Sequence, residues 1–179
     1  MFKRRIKLTW LQTAKQAIWP KMGWLRAVQY YAKRTIRLTD TTENIAKGLA
    51  SGTAMSFSPL VGTHILQAGL LTYILRGNLL ASLVGTIIGN PWTFPFMWFA
   101  SITLGSWIFA LIGLPANIYL PDEVSLSILW ELLLSEPLRI LLPWFLGGYL
   151  CALISWPIAY FIFYSLINTA KLAREKALK

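Results

Sequence analysis

His64 is the only histidine in the 179-residue chain, and it stands in a stretch, residues 48–75, that contains no Lys, Arg, Asp or Glu. A lone imidazole in such a setting could carry protons or hold an anion when protonated. It could equally be a neutral side chain hydrogen-bonded within the fold. Groups of similar character lie around it: Ser58 and Thr63 flank Pro59 and Gly62, and Asn90 and Thr93 flank Pro91, with Pro95 just beyond. Hydroxyls, amides and backbone groups freed from a helix ladder coordinate ions or head groups where helices unwind, although they can also satisfy one another and fix the break. Arg76, followed by Gly77 and Asn78, could meet a lipid phosphate or anchor a tight turn on a charged face. The candidate ligand-binding residues are therefore Ser58, Thr63, His64, Arg76, Asn78, Asn90 and Thr93, and the helix-break residues are Pro59, Gly62, Pro91 and Pro95.

Catalytic signatures do not accompany these residues. The chain has no glycine-rich phosphate loop, no Gly-x-Ser-x-Gly elbow and no paired carboxylates in its uncharged runs. A serine nucleophile using His64 would have no acid nearby to orient the imidazole. One His and the single Cys151 fall short of a zinc site. No catalytic residue, metal or cofactor is expected.

The elements that must position these groups follow from composition. Hydrophobic residues make up 56% of the chain and charged residues only 13%, with a mean hydropathy of +0.54. Soluble domains carry roughly a quarter charged residues, so this chain lacks the polar surface to wrap its apolar content and lipid must be part of its solvent. The same composition excludes a disordered chain and a disulfide-stapled domain. Eleven Lys or Arg lie between residues 1 and 47 against Asp40 and Glu43, and the tail adds Lys171, Arg174, Lys176 and Lys179 against Glu175. Basic ends around an almost uncharged middle follow the positive-inside rule, with both termini cytoplasmic. The partner expected is thus a bilayer with anionic head groups, and no nucleic acid.

Three uncharged runs, 48–75, 77–121 and 140–170, are long enough to reach across a bilayer. The first two are interrupted. Helices are predicted at 41–57 and 64–75 around one break, and at 79–89 and 96–113 around a second at 89–95. Most arms are short for a full span, which favours re-entrant hairpins or broken spans meeting near mid-membrane. Gly48 with Gly52, and Gly85 with Gly89, would let the arms pack closely, whether for simple assembly or to receive a partner. The run 140–170 crosses once, kinked at Pro143, Gly147, Gly148 and Pro157, or folds as a short hairpin. The connector 115–139 carries Asp122, Glu123, Glu131 and Glu136 and is predicted to hold an interfacial helix near 124–134.

Residues 1–39 lack the uninterrupted apolar core and cleavage site of a signal peptide. Helical spacing puts Trp24, Leu25, Val28, Tyr31 and Ala32 on one side and Arg26, Lys33, Arg34 and Arg37 on another, as in a helix lying at headgroup depth. Asp40 and Glu43 are spaced as a capping box for the next helix. The expected organisation is an all-α, polytopic membrane protein. It comprises an amphipathic arm (1–39), a membrane domain (40–170) with two broken-helix hairpin units and a C-terminal transmembrane helix or hairpin, and a basic tail (171–179).

The string Ser56-Phe57-Ser58-Pro59-Leu60-Val61-Gly62-Thr63-His64, then Leu75-Arg76-Gly77-Asn78, Gly85-Thr86 and Gly89-Asn90-Pro91-Trp92-Thr93-Phe94-Pro95, closely resembles the domain-of-unknown-function 2062 family of small bacterial inner-membrane proteins. The resemblance covers roughly residues 46–112. It implies a bacterial inner-membrane location, and it hints at lipid-linked sugar or envelope traffic through related domains fused to glycosyltransferases; it supplies no catalytic assignment. Two functional readings remain open. One is a transporter or flippase-like protein with a midplane site at the two breaks for a small polar solute, ion or lipid head group. The other is a membrane scaffold whose small-residue faces bind a second copy or a partner membrane protein.

Overall fold

The computed structural model describes residues 26, 30, 33, 35, 38–60, 62–114 and 137–177, and among these there are helices and turns but no strand. The chain divides into two compact units, Met1–Leu38 and Thr39–Lys179. In the first, Arg26, Tyr30, Lys33 and Thr35 are helical, and Arg26, Tyr30 and Lys33 are exposed at spacings of four and three that place them on one face. The expected apolar side of this arm, the interfacial helix near 124–134 and the acidic side chains of the connector lie outside the described residues.

Among the described residues, the second unit holds five α-helices: α1 (Thr42–Met55), α2 (His64–Ile74), α3 (Leu79–Gly85), α4 (Phe94–Leu111) and α5 (Pro137–Ala177). A 3₁₀ turn, Thr86–Ile88, extends α3. Helix α1 packs against α2, α3 and α5, and α4 packs against α5. The two breaks expected from sequence fall at 56–63 and 89–93.

Two local expectations are corrected, and one alternative left open by the sequence is decided. The N-cap of α1 is Thr41, whose Oγ1 accepts from Asn44 N at 3.1 Å, and not Asp40. The Asp40 carboxylate is drawn elsewhere, to Asn44 and Asn78, while Glu43 pairs with Lys47 one turn along. Pro95 belongs to the first turn of α4 and not to the break, because the missing N–H of proline costs nothing where a helix has no partner for it. Helix α5 is continuous over 41 residues, through Pro143 and Pro157, so the run 140–170 is one helix and not a hairpin.

Backbone-to-backbone packing at glycines holds the unit together. A Cβ on Gly52 would meet Ser82 O and Gly85 C of α3, and one on Gly85 would meet Leu49 O of α1. The α4–α5 contact uses Gly105 against Pro143 O, and Gly147 against Ser101 O. Hydrogen bonds add to this: Trp156 Nε1 on α5 donates to Ser51 Oγ on α1 at 3.1 Å, and Ser51 Oγ donates to Lys47 O at 2.8 Å.

Among the described residues two helices, Phe94–Leu111 and Ile140–Ala177, are long and apolar enough to cross a membrane. Only 17% of the apolar window in each is buried, so the fold does not consume their apolar faces as a soluble core would. The same holds for α2 and α3, where Leu66 is 75% exposed, Tyr73 74% and Leu80 57%.

Candidate functional site: the junction of the two helix breaks

The two breaks meet. Ser56, at the end of α1, lies against Gly89: a Cβ on that glycine would stand 2.6 Å from the Ser56 Cβ. The imidazole of His64, first residue of α2, makes an edge contact with the ring of Phe94, first residue of α4, at 5.8 Å between centroids. Helix α5 passes beside the same point, with Gly148 against Phe57 O and Pro59 Cδ. The helix ends are dictated locally: α1 tightens into i→i+3 bonds at Ser56, Phe57 and Ser58, and Gly62 then takes φ 88°, a conformation that favours glycine.

Most of the polar groups at the junction are committed to the breaks themselves. Asn90 Oδ1 accepts from Trp92 N at 2.9 Å and from Thr93 N at 3.2 Å, and Thr93 Oγ1 donates to Ile88 O at 2.5 Å. Asn90 N in turn donates to Thr93 Oγ1 at 2.9 Å. Asn90 and Thr93 thus form a closed set that builds the turn around Pro91. In the first break, Ser58 Oγ accepts from Leu60 N at 3.3 Å and Thr63 Oγ1 donates to Leu60 O at 2.9 Å. His64 differs: it is half-buried, and its ring nitrogens make no hydrogen bond to another described residue.

Two residues complete the junction that were not among the sequence candidates. Tyr149 Oη donates to Gln67 Oε1 at 2.9 Å, and Gln67 Nε2 donates to Thr63 Oγ1 at 2.8 Å. Gln67 follows His64 by one helical turn, a spacing that could have marked it. Tyr149 lies 82 residues from Gln67 and carries no local signal. From His64 a ladder of rings continues through Phe94 and Trp98 to Trp144, at centroid distances of 5.3 Å for each of the last two steps. The indole N–H groups of Trp98 and Trp144 are both buried without an acceptor among the described residues.

Arg76 and Asn78 lie just past the opposite end of α2 from His64, a helix of 11 residues and about 16 Å at 1.5 Å rise per residue. There Asp40 gathers three elements. Its carboxylate accepts from Asn78 Nδ2 at 2.8 Å, Asn44 Nδ2 at 2.9 Å and Thr41 N at 2.7 Å, while its carbonyl accepts from Lys171 Nζ at 2.7 Å. The hydrogen bond from Asn78, helped by those from Asn44 and Thr41 and by the Lys171 charge, holds the Asp40 carboxyl below its ordinary value against the opposing effect of burial. Arg76 is exposed and sits at φ 54°, in a Schellman motif where Gly77 N donates to Thr72 O at 2.8 Å and Arg76 N to Tyr73 O at 3.1 Å. The seven candidates therefore form two groups, Ser58, Thr63, His64, Asn90 and Thr93 at the junction, and Arg76 with Asn78 at the Asp40 node. Among the described residues no three His, Cys, Asp or Glu side chains are grouped to hold a metal ion.

The described residues thus form a helical protein with two apolar helices of membrane-crossing length beside a polar junction of two helix breaks. The chain belongs to the bacterial family described as "Uncharacterized protein conserved in bacteria" (DUF2062), whose profile matches residues 25–176. No curated protein and no solved structure matches the chain.

Proposed function

We propose that the chain is a multi-pass protein of the bacterial inner membrane that binds a small polar solute, ion or lipid head group at the junction of the two breaks and moves it, as a transporter or flippase-like protein. The observation that carries this reading is His64. Ser58, Thr63, Asn90 and Thr93 spend hydrogen bonds on local backbone, whereas the imidazole at their meeting point keeps its ring nitrogens unengaged among the described residues. An ionisable group in an apolar setting is costly to keep without use.

The placement of the charges supports the orientation. Lys171 lies on Asp40, so the start of α1 and the basic end of α5 share one end of the unit, and Asn78 N donates to Asn44 O at 2.8 Å, bringing the Arg76 turn to that end as well. With this end cytoplasmic, α1 and α2 form a hairpin that enters and returns, and the pair α4 and α5 reaches the opposite face. The junction lies beside Gly148, about 10 Å along α5 from the midpoint of 140–170 at 1.5 Å per residue.

In reconstituted vesicles, His64→Ala should abolish both efflux of entrapped inorganic phosphate and transbilayer movement of a labelled phospholipid, whichever the wild type supports, while leaving elution and helical content unchanged. Full flux in His64→Ala would overturn the reading. Asn90→Ala is expected to damage assembly instead, because it removes the cap of the second break.

A membrane scaffold is the second reading, and Gly69 favours it. Of the helical glycines described, it alone has nothing within 4 Å of its Cβ direction, on a helix whose Leu66 and Tyr73 are exposed. Loss of a stable oligomer or partner on Gly69→Leu, with flux absent in the wild type, would establish it.

A further inference from the structure

Beside the junction the surface carries a polar strip among apolar neighbours. Tyr149, 38% exposed, donates to Gln67, which donates to the exposed Thr63. On the same faces, one helical turn away, stand Leu70 on α2 at 62% exposure, and Leu146 and Leu153 on α5 at 36% and 70%. Tyr149 lies about 9 Å along α5 from the midpoint of 140–170, at 1.5 Å per residue, which is hydrocarbon depth in a core roughly 30 Å thick. An outward-facing hydroxyl and amide at that depth are costly unless a polar group meets them.

Two donors on this strip are unspent. An amide carries two N–H donors, and Gln67 uses one, on Thr63; His64, three residues earlier and so on the same side of α2, makes no hydrogen bond to a described residue. Unspent donors call for an acceptor-rich ligand, and the flanking leucines call for that ligand to bring apolar chains. A free solute phosphate would satisfy the first demand and leave the second unmet.

We infer that a membrane phospholipid docks laterally at this strip, its phosphodiester oxygens accepting from Gln67 and His64 and its acyl chains lying along Leu70, Leu146 and Leu153. This rests on the membrane reading above and names the ligand class for its site. Tyr149 is a positioning residue, holding the Gln67 amide through its Oε1 so that the spare N–H faces outward.

The test uses the full chain in nanodiscs of phosphatidylethanolamine and phosphatidylglycerol, released into detergent and stripped stepwise, with retained phospholipid counted by native mass spectrometry. The wild type should retain a phospholipid through washes that remove bulk lipid. The double variant His64→Ala with Gln67→Leu should lower its retention at least about tenfold, and Tyr149→Phe, which keeps the ring, about threefold, the tenfold loss corresponding to about 1.4 kcal/mol. Unchanged helical content in each variant keeps the comparison valid. Retention of no phospholipid by the wild type, equal retention by the variants, or displacement by millimolar inorganic phosphate each overturns the inference. A chain that stays dispersed without detergent sinks the membrane reading itself, whereas a detergent-dependent chain holding no phospholipid sinks only the docking site.

Discussion

Gly89 lies against Ser56 so closely that a Cβ at position 89 would stand 2.5 Å from the serine Oγ, and this contact makes one site of two helix breaks more than thirty residues apart. Ser56 is fully buried and its hydroxyl donates to Gly52 O at 3.0 Å, so it cannot yield by turning outward. Gly89→Ala should therefore destabilise the unit by about 1–3 kcal/mol, the usual cost of overpacking. The midpoint of unfolding in detergent, followed by circular dichroism, checks this, and an unchanged midpoint would show that the breaks can separate freely.

Asp40 makes stability pH-dependent at the opposite end. Its carboxyl is held below the ordinary value, chiefly by Asn78, so the folded state favours the ionised form. A depressed folded pKa contributes stability that is present above the unfolded value, about 3.9, and lost as pH falls through the folded value. Stability measured from pH 6 downward should accordingly fall below about pH 4, and Asp40→Asn should flatten that part of the curve. Asn78→Ala, which removes the largest contribution, should flatten it in part; an acid limb unchanged in both variants would rule out the node.

Two buried serines on facing helices should respond in opposite directions. Ser51 Oγ is the acceptor for the Trp156 indole, so Ser51→Ala strands a half-buried donor and should cost about 1–3 kcal/mol. Ser82 is 1% exposed and its hydroxyl has no partner among the described residues, so Ser82→Ala removes an unpaired polar group and should leave stability equal or higher by about 1 kcal/mol. Chemical denaturation of both variants side by side is the measurement, and a Ser82→Ala that destabilises would mean its hydroxyl is engaged.

Arg76 and Gly113 occupy the same position of the same motif, at φ 54° and 72°, after α2 and α4. Leu114 N donates to Phe109 O at 3.0 Å, as Gly77 N does to Thr72 O. A side chain in this left-handed conformation costs about 1–2 kcal/mol. Arg76→Gly should raise thermal stability by about that amount, and Gly113→Arg should lower it similarly. If Arg76→Gly stabilises the protein but weakens its association with anionic vesicles, the strain is retained for the charge at the turn.

The sequence by itself determined where helices cannot continue. Pro59 with Gly62, and Asn90 before Pro91, act through the dihedrals and missing N–H of their own residues, so the breaks at 56–63 and 89–93 were legible without any tertiary contact. The apolar lengths of α4 and α5 were legible for the same local reason, although the choice between one helix through Pro143 and Pro157 and a hairpin was not, since neighbouring helices decide whether a proline kink becomes a turn. The competition for the Asp40 carboxylate, which left capping to Thr41, depended on Asn78 arriving from 38 residues away. Likewise, the candidates divided between two ends because α2 runs straight between them, and Tyr149 joined the site only because Gly148 lets α5 approach the first break. Proline and polarity act along the chain, where a reader of residues can follow them; which glycine faces which backbone is settled by close packing across the chain, and no local pattern encodes it.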